Sequence, residues 1–128
     1  MDAIARHLIA EYYGCDPEQL DRPERLRPIL EQAVVEGKAT VIKTSLHQFS
    51  PQGVSGVVIL AESHLAVHTW PEYGFAAVEI LVCGEAPDPE ASHRYLLQQL
   101  KPSHHTVRML QRGDLQTAMR YFAAPSQA

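Results

Sequence analysis

Residues 53–84 read GVSGVVILAESHLAVHTWPEYGFAAVEILVCG, and the fold turns on them. VSGVVILA (54–61) is rich in β-branched residues and apolar at both parities. That is the pattern of a central strand covered on each side. HLAVHTW (64–70) alternates, PEYG (71–74) carries turn residues, and FAAVEILVCG (75–84) is another strand. PEYG can join the last two strands as an antiparallel hairpin. If PEYG sets Trp70 opposite Phe75, the register puts His68 opposite Ala77 and Glu62 opposite Cys83. Ser63 is then one rung from Cys83, with neighbouring strands only ~5 Å apart.

Outward from this core, ATVIKTSLHQF (39–49) is a further β-branched strand and SPQG (50–53) a loop. Residues 3–13 carry Ile4, Leu8 and Tyr12 at helical spacing, which predicts a helix broken by GCD (14–16). DRPE (21–24) predicts a second helix start: a capping Asp21, Pro23 in the first turn and Glu24 three residues after the cap. Leu26, Ile29, Leu30, Ala33 and Val34 give that helix one apolar face; Pro28 limits its first turns and Gly37 stops it. DPEASHRYLLQQLK (88–101) starts on Asp88 and Pro89 and sets Ala91, Tyr95, Leu96 and Leu100 on one side of a third helix. HTVRMLQ (105–111) is a short strand, and AAPSQA (123–128) a loose tail. The expected fold is a single α/β domain over residues 1–128, of the α+β type. It has two layers, an antiparallel sheet with helices packed on one face.

Composition narrows the function. The chain has 128 residues, 45% of them hydrophobic, which supports one core. A net charge of −4 argues against a nucleic-acid footprint, which needs a basic patch. No 18-residue apolar run suggests a membrane span, and MDAIARHLIAEYYG lacks the apolar centre of a signal peptide. Two cysteines, Cys15 and Cys83, make no disulfide framework. Both are expected to be thiols in a reducing cytosol, so the expected location is cytoplasmic.

The polar run Glu62-Ser63-His64, with His68 beyond it, is costly at the end of an apolar strand. On a strand, His64 and His68 stand ~13 Å apart, too far to share one ion. His104 and His105 are adjacent and point to opposite faces, so no metal site is expected. Ser63 lacks the G-x-S-x-G elbow of a serine hydrolase. The register instead lets Glu62, Ser63, His68 and Cys83 converge at one end of a hairpin. The residues alone leave two readings open: a reaction centre, or a polar strand end with a buried thiol.

The combination G-V-S-G, E-S-H, H-T-W-P-E and C-G at these spacings closely resembles the prokaryotic S-adenosylmethionine decarboxylase proenzymes. The resemblance begins at RHLIAEYYGCD (6–16) and fades after about Leu100. It implies self-processing. The Ser63 hydroxyl attacks the Glu62 carbonyl and converts an amide into an ester. Ser55 stabilises the cyclic intermediate, and His68 removes the Ser63 α-proton so that the ester eliminates. The products implied are a β chain, 1–62, and an α chain, 63–128, capped by a covalent pyruvoyl group made from Ser63. A substrate amine forms a Schiff base with that ketone, which accepts the electrons left by CO2. Cys83 is implied as the proton donor to the resulting carbanion. Phe49 is implied to stack on adenine and Glu72 to hold the ribose hydroxyls of S-adenosylmethionine. The product feeds polyamine (spermidine) synthesis. The resemblance also implies a homodimer of αβ units, with residues of two chains around each site.

Three positions depart from the family pattern. Asp is expected at 79, and an aromatic-Thr pair before the cysteine; here they are Glu79, Leu81 and Val82. These departures bear on the substrate more than on processing. An alternative is a pyruvoyl-dependent decarboxylase of a basic amino acid, arginine or ornithine, held by the acidic residues. A third reading, a non-processing partner subunit, is opposed by the intact Ser63, His68 and Cys83.

Overall fold

A computed structural model describes residues 3–123. The elements run β1 (Ala3–Tyr13), α1 (Pro17–Leu20), α2 (Pro23–Glu36), β2 (Val41–Gln48), β3 (Val54–Leu60) and β4 (Ser63–Trp70). A short 3-10 turn at Pro71–Tyr73 leads to β5 (Phe75–Cys83), followed by α3 (Pro89–Leu100), β6 (His104–Asp114) and α4 (Leu115–Ala123). Six antiparallel strands form one sheet in the order β2-β3-β4-β5-β1-β6. Trp70 pairs with Phe75 and His68 with Ala77, the register read from the sequence. Gly74 takes the left-handed conformation that the sharp return requires, with φ 60°.

Residues 3–13 correct the sequence reading: they form a strand, not a helix. A spacing of four satisfies a helical period and a strand period alike, so Ile4, Leu8 and Tyr12 could not decide between them. Ala10 supplies the missing alternate position; Leu8, Ala10 and Tyr12 are all fully buried. The strand lies between β5 and β6 and is hydrogen-bonded on both sides.

The core lies between one face of the sheet and helices α2 and α3. Leu8 and Tyr12 of β1, Leu65 and Val67 of β4 and Val78 and Ile80 of β5 meet Leu26, Leu30, Ala33 and Val34 of α2 and Leu96 and Leu100 of α3. Each fully buried aliphatic side chain contributes about 1.5–3 kcal/mol. That packing carries α2 through Pro28 without a break. Asp21 does not cap α2; Arg22 holds that position with no side-chain cap bond. The Asp21 carboxylate accepts instead from the Gly53 N–H at 2.8 Å and Gln48 Nε2 at 3.0 Å, tying the helix start to the β2–β3 loop. Asp88 does cap α3, accepting from the Ala91 N–H at 3.2 Å.

The buried side of α3 runs through Pro89, Ser92, His93, Leu96 and Leu100, so Ala91 and Tyr95 flank it rather than form it. Small Ser92 admits the end of α2, where a Cβ on Gly37 would strike it. His93 Nδ1 lies 2.7 Å from the buried Tyr12 hydroxyl. Burial holds the His93 imidazole below its usual pKa, aided by His105 and Arg94. Burial, aided by Cys15, raises the Tyr12 phenol. Both therefore stay neutral and pair at no charge cost.

Strand β3 is apolar on both faces, as read, yet only one of them is covered by the helices. On the other, Ile59 stays 40% exposed, as does Trp70 of β4. This open face also carries Val57, Ala66, His64, His68, Glu79 and Cys83. Helix α4 was not anticipated. Asp114 caps it by accepting from the Thr117 N–H at 2.9 Å, and its Leu115, Met119, Tyr121 and Phe122 are exposed. The expected loose tail lies outside the described residues from Ala124 onward. Among the described residues, no helix is long and apolar enough to cross a membrane.

Candidate active site

Strands β3 and β4 are joined by a two-residue turn, with Leu60 paired to Ser63 and Ala61-Glu62 between them. Favoured two-residue hairpins place glycine, asparagine or aspartate at centre positions with positive φ. Ala61 and Glu62 supply neither. Among the described residues, the non-glycine residues with positive φ are Lys38, Ser63 and Lys101. The turn therefore passes its misfit to the next residue, Ser63, at φ 144°. A non-glycine residue there stores on the order of 1–3 kcal/mol, and such strain gathers at functional sites.

Hydrogen bonds from both neighbouring strands pin this turn. On the β5 side, the Cys83 N–H donates to the Glu62 carbonyl at 3.0 Å. On the β2 side, the Ala61 N–H donates to the Thr40 carbonyl at 3.0 Å. The Glu62 carboxylate accepts from the Thr40 N–H at 3.0 Å and from the Thr40 hydroxyl at 3.4 Å. The 62–63 peptide thus has a strained hydroxyl-bearing residue on one side and a polarised carbonyl on the other. An N–H aimed at a carbonyl that gains negative charge is an oxyanion donor.

The two thiols differ. Cys83 is exposed beside this turn, whereas Cys15 is buried and its pKa is pushed up to about 11 by burial. A neutral-pH alkylating reagent is expected to label Cys83 at least tenfold faster than Cys15, read by peptide mass spectrometry.

A second cluster lies at the other end of the same face. Ser55 Oγ is 2.9 Å from His68 Nδ1. These two line a cavity of about 330 Å³ with Phe49, Gln52, Trp70 and Glu72. Phe49 is half exposed and meets the His47 ring edge-on at 4.7 Å. A larger polar hollow of about 570 Å³ adjoins it across Gln52 and Glu72, lined by Glu18, Asp21 and Arg22. It holds no nucleophile, so the smaller cavity is the better candidate for chemistry.

The structure corrects the expected convergence. Glu62, Ser63 and Cys83 do meet, but His68 does not join them within one chain. Five residue steps along β4 separate Ser63 from His68, about 16 Å at ~3.3 Å per step. Cross-strand neighbours are close; neighbours along a strand are not. The register was right, and it places the two clusters at opposite ends of the hairpin.

Between them lies a network that the sequence reading did not assemble. Glu79 Oε1 is 3.0 Å from His64 Nε2, and Glu79 Oε2 is 3.6 Å from His7 Nε2. Arg112 donates to His7 Nδ1 at 2.9 Å. The His64 hydrogen bond, with His7 assisting, holds the Glu79 carboxyl below its usual pKa. Glu79 is thus engaged by His64, the residue next to Ser63. Among the described residues, no group of three His, Cys, Asp or Glu side chains could hold a metal ion.

The family profile described as S-adenosylmethionine decarboxylase matches residues 6–113. The chain belongs to the S-adenosylmethionine decarboxylase family. The match runs past Leu100, through most of β6. A proenzyme of Caldicellulosiruptor saccharolyticus named for this activity is 48% identical over 113 residues, 88% of this chain and 91% of its own. One from Thermoplasma volcanium is 48% identical over 112 residues, 88% and 86% of the two chains. The crystal structure of the adenosylmethionine decarboxylase from Aquifex aeolicus superposes with a TM-score of 0.82 at 37% identity. It covers 88% of this chain and 93% of that one.

Proposed function

We propose that this chain is a proenzyme that cuts itself between Glu62 and Ser63 and then decarboxylates S-adenosylmethionine, for polyamine synthesis. The observation that carries this reading is the strained Ser63, φ 144°, beside a Glu62 carbonyl already bonded to the Cys83 N–H. The Ser63 hydroxyl attacks that carbonyl, the Cys83 N–H takes the developing negative charge, and the amide becomes an ester. Removal of the Ser63 α-proton expels the Glu62 carboxylate. Water then replaces the amine nitrogen as ammonia, leaving chains 1–62 and 63–128.

A pyruvoyl group fits the residues present, since the precursor serine and an exposed thiol stand on adjacent strands. It would supply a ketone that binds the substrate amine and takes up the electrons released with CO2. Cys83 returns the proton to carbon. Phe49 and Glu72 line a cavity suited to an aromatic base and a vicinal diol. That fit, and the family, favour S-adenosylmethionine over arginine or ornithine.

His68 and Ser55 reach Ser63 only from a second copy. A two-fold axis running across the strands, between two open faces, sets the Ser63 end of each sheet over the His68 end of the other. The exposed Ile59 and Trp70 on that face are then covered. This reading makes the working unit a homodimer with two composite sites. The free thiols Cys15 and Cys83 suit a reducing compartment, and a cytosolic location is part of the reading.

The test is CO2 release from carboxyl-labelled substrates. Processed protein is expected to release label from S-adenosylmethionine and not from arginine or ornithine; release from a basic amino acid alone overturns the substrate. Cys83→Ala is expected to cleave normally but to turn over about 10²-fold or more slowly, the range for a lost general acid. Full turnover by Cys83→Ala would remove the proton-donor role.

A further inference from the structure

We infer that the Glu62 side chain is a positioning group for the self-cleavage, acting through its clamp on Thr40. The inference rests on the cleavage reading above and concerns which step the clamp serves. Glu62 contributes two acceptors to the sheet. Its carbonyl faces β5, and its carboxylate faces the residues leading into β2. The Thr40 N–H would ordinarily seek a backbone carbonyl, while the Thr40 carbonyl already accepts from Ala61. The carboxylate completes that pairing from the turn itself. Leu60 pairs with Val41 just inside the clamp, and the ladder shifts register between Val41 and Lys43. The turn is thereby held flush with the sheet end while lacking a residue that tolerates positive φ.

The consequence is mechanical. A turn of this composition would relax if one side were released, and Ser63 could return to ordinary extended backbone. The clamp on Thr40 and the Cys83 N–H on the opposite side keep the misfit at Ser63. The clamp therefore serves the first step, attack of the Ser63 hydroxyl on the Glu62 carbonyl, and not the later elimination. The carboxylate acts through its reach. Its charge is secondary, because the main donor is a neutral backbone N–H.

Two substitutions separate reach from charge. Glu62→Gln keeps the length and one acceptor oxygen; Glu62→Asp keeps the charge and loses one methylene. Both sit on a partly exposed turn, outside the core. Cleavage of each purified full-length chain is followed by mass, with and without hydroxylamine, which cuts an accumulated ester but not an amide. The expected result is Gln within about threefold of the unmodified chain and Asp slower by about tenfold or more, with hydroxylamine failing to restore the Asp rate. Equal rates for Asp and the unmodified chain, or Asp faster than Gln, overturn the clamp. Restoration of Asp by hydroxylamine moves the defect to elimination and overturns it as well. If the unmodified chain itself does not cleave, the cleavage reading fails first, and the comparison reports that separately.

Discussion

Co-expression of Ser63→Ala and His68→Ala chains is expected to restore cleavage that neither gives alone, and only the chain lacking its own His68 should be cut. The reason is the distance of about 16 Å along β4 between Ser63 and His68. No rotamer spans it. In a mixed dimer, one site combines Ser63 from one copy with His68 from the other, and both are intact. The second site carries both lesions. Random pairing makes half the dimers mixed, so about a quarter of all sites should be whole. Chains tagged differently and resolved by mass would show the His68→Ala chain cut in those dimers and the Ser63→Ala chain uncut. Decarboxylation of S-adenosylmethionine should recover to the same fraction. Cleavage of the His68→Ala chain expressed by itself at the unmodified rate would show that His68 is not the base in either copy. Absence of any recovery in demonstrably mixed dimers would remove the composite site.

The parts of this arrangement visible in the sequence were those fixed by local pattern. Alternation and the PEYG turn defined β4, β5 and their register, because a one-residue slip would move every buried side chain to the wrong face. From that register followed the approach of Glu62 to Cys83, now a 3.0 Å hydrogen bond. Other parts were not visible for physical reasons. Strand β1 was hidden because Ile4, Leu8 and Tyr12 fit both periodicities, and only its place between β5 and β6 decides. The split of the site was hidden because E-S-H and H-T-W-P-E are adjacent in sequence, while an extended strand turns five residues of proximity into separation. Thr40 carried no signal at all: its role depends on the side chain of Glu62 standing in for a backbone acceptor. Glu79 looked like a departure bearing on the substrate, and its carboxylate lies 3.0 Å from His64 Nε2.

Replacement of Ser63 gives the second large effect, and two replacements together test both halves of its role. Ser63→Ala removes the attacking oxygen, so it is expected to remain one chain of 14.3 kDa after long incubation at neutral pH. Ser63→Gly removes it too, and should also remain intact. The two should differ in stability. Alanine inherits the φ of 144°, which costs a non-glycine residue about 1–3 kcal/mol. Glycine adopts that conformation freely but gives up about 0.5–1 kcal/mol through its greater freedom when unfolded. The balance favours glycine by roughly 1 kcal/mol, measurable as a higher denaturation midpoint with an unchanged slope. Stability equal to or below that of Ser63→Ala would mean that the backbone at residue 63 is relaxed in the uncleaved chain. Cleavage would then have to draw on the Cys83 N–H and the second copy alone. A two-chain product from Ser63→Ala would remove the serine hydroxyl as the nucleophile, and self-cleavage at this bond with it.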